Sequence, residues 1–171
     1  MLDIFEEVVS NWLFSKGYFV INNLKVGLKE IDLLAVKIRK GKITEKIHVE
    51  VQCSSNPVGY IGGNSSARTR SKEELGKGVG EYINKKFLNN KIEKTVESFF
   101  GKNYIKWFIC GVLKDESTVS EFEKRGIIVM RIWDIIEEYK GMAKNKKMYL
   151  GTAQGNRYNQ LLLLSQKRVE H

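Results

Sequence analysis

LKEIDLLAVKIRKGKITEKIHVEVQCSS, residues 28 to 55, reads as two β-strands joined at Gly41-Lys42. Asp32 opens the apolar run Leu33-Leu34-Ala35-Val36, which suits a strand covered on both faces. In the second strand Val49 and Val51 alternate with His48, Glu50 and Gln52. A side-chain period of two then puts the three polar groups on one face. Ionised carboxylates are rarely buried unless they are paired or hold a metal. Two acids set into core-forming strands need a partner, and a bound divalent cation would be one. Other partners are open: Asp32 could cap a strand end or pair with Lys29, and Glu50 could pair with Lys37 or Lys46 on a solvated face.

Upstream, residues 3 to 15 carry Phe5, Val8, Val9, Trp12 and Leu13 on one helical stripe, with Gly17 placed to end the helix. Glu7 points away from that stripe; Glu6 sits at its edge and is the acid able to reach an interior site. Tyr18 to Asn22 reads as a short strand and residues 23 to 27 as a connection.

Downstream, Ser54 to Arg70 is rich in Gly, Ser and Asn and reads as a long loop ending in Arg68-Thr69-Arg70. Ser71-Lys72-Glu73-Glu74 matches a capping box and predicts a helix to about Leu88. Gly76, Gly78 and Gly80 in that helix suggest a close approach to another backbone. A helix over 91–100, a strand over 104–113, a short helix over 118–124, a strand over 127–132 and a helix from Trp133 complete the pattern. The strand–helix–strand unit favours a parallel pair. From Gly141 onward lysines and arginines are interleaved with Tyr149 and Tyr158. This basic extension, residues 141–171, is set apart from residues 1–140, and Leu161 to Leu164 could dock on a second copy.

With 171 residues the chain suits one domain with a sizeable core. Cys53, Cys110 and two histidines make neither a disulfide framework nor a zinc site, and both cysteines read as small apolar core residues. No apolar run approaches the roughly 18 residues of a membrane span, and no signal peptide is evident, so a cytoplasmic protein is expected. A net charge of +9 favours a polyanionic partner, nucleic acid first.

The order of elements, together with Glu6, Asp32, Glu50 and Gln52, resembles the PD-(D/E)XK nuclease superfamily, and within it the archaeal Holliday-junction resolvases. Glu6 stands eleven residues before Gly17, a separation those resolvases share. The resemblance covers residues 3 to 139. It implies an α/β, restriction-endonuclease-like three-layer fold with a mixed central sheet flanked by helices. It also implies a Mg²⁺-dependent DNA endonuclease, with Mn²⁺ able to substitute, acting as a homodimer. Asp32 and Glu50 would hold the cation, with the Val51 carbonyl and Glu6 as further ligands. Gln52 stands where the family usually has lysine, an E-x-Q variant seen in some nuclease-like proteins. Glutamine donates a hydrogen bond but carries no charge, so Lys72 or Lys77 would have to supply the cation. Arg68, Arg70, Lys72 and Lys77 are the expected DNA contacts. A DNA-binding module that kept the fold and lost the chemistry is the alternative.

Overall fold

The structure, a computed structural model, describes residues 3–53, 71–112 and 116–144. The expected loop 54–70 with Arg68 and Arg70, and the tail from 145 with Leu161 to Leu164, lie outside the described residues.

The chain begins with α1 (Ile4–Ser15), then runs through the meander β1 (Tyr18–Val26), β2 (Lys29–Arg39) and β3 (Lys42–Gln52). Two helices follow, α2 (Lys72–Lys86) and α3 (Asn90–Phe100). Next come β4 (Ile105–Cys110), α4 (Glu116–Glu123), β5 (Ile127–Arg131) and α5 (Ile132–Lys144). The five strands form one mixed sheet in the order β1-β2-β3-β4-β5. β1, β2 and β3 pair antiparallel, while β3–β4 and β4–β5 are parallel. This is an α/β fold with a helix-flanked mixed sheet.

The β2–β3 turn sits at Lys40-Gly41, one residue before the expected Gly41-Lys42. Both turn residues have positive φ (51° and 74°), and Arg39 pairs with Lys42 across them. Two successive left-handed residues match the right-handed twist of the flanking strands, which is why a glycine occurs here. β1 also runs past the expected connection at Asn23. Asn23 adopts φ 51° and the strand continues beyond it to Val26.

Neighbouring residues of β4 show how the faces are used. Trp107 meets Trp12 of α1, with ring centroids 6.1 Å apart. Phe108, pointing the opposite way, stacks on Phe122 of α4 at 4.3 Å. Val79, Tyr82, Ile83, Phe87 and Phe108 pack with Cys110, Phe122 and Ile127 under α2 and α4. Ile92, Val96 and Phe100 of α3 close over Val26, Ile31 and Leu34. Each fully buried large side chain contributes about 1.5–3 kcal/mol over its exposed state.

The described residues divide into two units between Ile132 and Trp133. Gly141, where the basic extension was expected to begin, lies inside α5. Among the described residues Gly76 and Gly80 of α2 approach no other backbone, and a Cβ at Gly80 would meet the Arg125 side chain. Among the described residues no helix is long and apolar enough to cross a membrane.

Candidate active site: a buried carboxylate pair and a helix-borne lysine

Asp32 falls out of both ladders of its strand. On one side the pairing passes from Asn22–Leu33 to Leu24–Ile31; on the other it ends at Leu33–Val49. Asp32 and Glu50 stand opposite one another, one step beyond that last pair. In place of a ladder bond, Asp32 Oδ2 accepts the Val51 N–H at 2.8 Å. The group of Val51 that touches Asp32 is thus its N–H and not the carbonyl expected as a ligand. Both acids are buried, Glu50 completely, which excludes the solvated-face alternative. Lys37 pairs with Glu45, and Lys46 donates to the Phe100 carbonyl at 2.5 Å.

The partner of the acids is Lys86. Its Nζ lies 3.0 Å from Asp32 Oδ1 and 2.5 Å from Glu50 Oε2. The contact with Asp32 is a hydrogen bond, whereas that with Glu50 is a charge contact without hydrogen-bond alignment. Lys86 occupies the last turn of α2, where the helix dipole favours a cation. The capping box at Ser71 and Glu74 fixes the other end of this helix.

The electrostatics follow from burial. Desolvation raises Glu50 to about 7, with Lys86 opposing the rise. Desolvation and the neighbouring Glu50 raise Asp32 to about 6, against Lys86 and the Val51 N–H. Burial alone would depress Lys86, but the two carboxylates outweigh it and hold the ammonium above its ordinary value. His48 is also fully buried, with Nε2 3.0 Å from Glu50 Oε1. Burial drives its pKa down to about 3.

Other expected members are placed elsewhere. Glu6 is spent on the start of α1: its Oε2 accepts the Asp3 N–H (3.3 Å) and the Asn23 side-chain amide (3.0 Å). Among the described residues no three His, Cys, Asp or Glu side chains gather to hold a metal ion, and the hydrogen bonds of Glu6 go to Asp3 and Asn23. Gln52 is half-buried at the end of β3, on the Glu50 face by strand periodicity, and its carbonyl accepts the Gly111 N–H at 3.3 Å. Lys72 and Lys77 are exposed. Lys72 lies roughly 21 Å along the helix axis from Lys86; Lys77 lies roughly 13 Å away and about half a turn out of phase. Neither can be the cation at this site.

Two buried carboxylates and one ammonium leave a net negative charge when all three are ionised. A two-carboxylate oxygen set fits Mg²⁺, which takes one or two carboxylates and completes its shell with water and phosphate oxygens.

No protein-family model and no curated protein matches the chain. A crystal structure of a protein of unknown function, AF1548, is similar over 80% of this chain and 67% of that chain, at 14% identity and a TM-score of 0.46.

Proposed function

We propose that the protein is a Mg²⁺-dependent DNA endonuclease on a restriction-endonuclease-like fold, with Mn²⁺ as a substitute cation. The observation that carries this is the buried, charge-unbalanced group Asp32–Lys86–Glu50 at the end of two core strands. Asp32 and Glu50 would hold the cation, whose chemistry is to offset charge on the scissile phosphate and to acidify water. Lys86 supplies what Gln52 cannot: an ammonium within 3.0 Å of both carboxylates, able to orient the attacking water and stabilise the developing phosphate charge. The basic balance of the chain supports a polyanionic substrate. Structure-specific cutting of junctions is the finer form of this reading, and it calls for two copies acting together.

A second reading, a DNA-binding module without chemistry, is favoured by the same lysine. An ammonium already paired with both acids competes with a cation for them.

The test is cleavage of four-way junction, flap, linear duplex and single-stranded DNA in Mg²⁺ or Mn²⁺, with Asp32→Ala beside the wild type. Metal-dependent cutting lost in Asp32→Ala is the expected result, and paired symmetric nicks confined to the junction select the resolvase form. Cleavage unchanged in the variant overturns the site. Salt-sensitive binding with no cutting selects the second reading.

A further inference from the structure

Glu50 has two oxygens with two different fates. Oε2 faces Lys86; Oε1 lies 3.0 Å from His48 Nε2, both residues being 0% exposed. With Glu50 ionised, the state that the adjoining Lys86 favours, the carboxylate only accepts hydrogen bonds and the shared ring proton belongs to Nε2. Nδ1 is buried and has no hydrogen-bond partner among the described residues. A proton there would be a stranded donor costing about 1–3 kcal/mol. The arrangement therefore selects one tautomer, the neutral imidazole with Nε2–H.

The ring itself has little freedom. Phe87 packs on it with centroids 5.0 Å apart, and Tyr104 lies 6.4 Å away. Phe87 directly follows Lys86, so one step of chain at the end of α2 braces His48 and delivers the ammonium to the far oxygen of Glu50.

We propose that His48 is a positioning residue for Glu50, holding Oε1 so that a single oxygen, Oε2, is turned toward Lys86 and a bound cation. This deepens the metal-dependent reading and rests on it. A glutamate side chain is rich in rotamers, and fixing it in advance reduces what a cation must order on binding. Hydrogen bonds to metal ligands from behind typically change metal affinity 10–100-fold.

Two measurements on the full chain test this. Long-range proton–nitrogen NMR of the wild type reads the His48 tautomer without any cation: Nε2–H is expected, and Nδ1–H overturns the proposal. Calorimetric titration with Mn²⁺ then compares wild type, His48→Leu and His48→Gln, each with a thermal melt. His48→Leu should bind Mn²⁺ about 10–100-fold more weakly. His48→Gln, whose amide also donates, should recover much of the loss. A purely structural histidine would lower the melting temperature and leave Mn²⁺ affinity unchanged, overturning the positioning role while the metal reading stands. A wild type that binds no Mn²⁺ removes the metal reading and this role together. Should His48→Leu fail to fold, the tautomer and the His48→Gln affinity decide.

Discussion

Lys86 Nζ lies 3.0 Å from Asp32 Oδ1 although 54 residues separate the two in the chain. The ammonium that Gln52 does not supply is thus available from the end of the following helix. Lys86→Met should lower single-turnover cleavage at saturating Mg²⁺ about 10²–10³-fold, the scale of a lost charge-stabilising donor. Lys77→Met, on the opposite side of α2, should cleave like the wild type. Equal losses in the two variants would show that Lys86 acts only through general charge.

Asp32 has a structural task besides its proposed chemical one, since its Oδ2 takes the Val51 N–H. Asp32→Asn keeps an acceptor for the Val51 N–H but turns its NH₂ toward the Lys86 ammonium, so it should abolish cleavage and cost some stability. Asp32→Ala strands the N–H and should be less stable than Asp32→Asn by about 1–3 kcal/mol in urea unfolding. Equal stabilities would count against the Val51 bond.

The buried groups give opposing pH dependences. His48, lowered to about 3, binds fewer protons folded than unfolded. Its contribution is present above 6.5 and is lost as pH falls from there toward 3. Asp32 and Glu50, raised to about 6 and 7, bind more protons folded, so their protonation adds stability as pH falls through those values toward about 4. With chelator present, His48→Gln should therefore gain more stability than the wild type between pH 7.5 and 5, by about 2 kcal/mol. Denaturant midpoints at the two pH values measure it; parallel shifts would mean that His48 titrates normally.

Gly41 is held at φ 74° in the two-residue hairpin turn. Gly41→Ala should destabilise the protein by about 1 kcal/mol, and thermal melting should show it without loss of Mn²⁺ binding. An unchanged melt would mean that the turn rearranges freely.

The meander was legible because the alternation at His48–Gln52 and the apolar run after Asp32 each fit one strand pattern. Less visible was Lys86. Val79, Tyr82, Ile83 and Lys86 follow the i, i+3, i+4, i+7 spacing of a buried helical stripe, and a lysine on such a stripe is itself a signal. Lys72 and Lys77, the expected replacement cations, stand nearer the start of the helix and are exposed. Glu6 carried its own warning: Asp3-x-x-Glu6 is a capping box, and the box claims the carboxylate. Strand β1 was expected to end at Asn22, with residues 23 to 27 as a connection, yet it runs to Val26. Asn23 instead keeps the strand running by bonding Glu6 and Glu30 through its side chain.

That Asp32 and Glu50 belong to the first 52 residues, while their counter-charge arrives at residue 86, bears on how the protein is made. A nascent chain displaying only α1 and the meander holds two acids with no ammonium between them. Local strand pairing can form early, yet this sheet cannot settle on its final packing until α2 has emerged and docked. The lysine thus ties completion of the site to completion of the core around it, and a chain cut short before α2 would carry the two acids but not the arrangement that gives them a use.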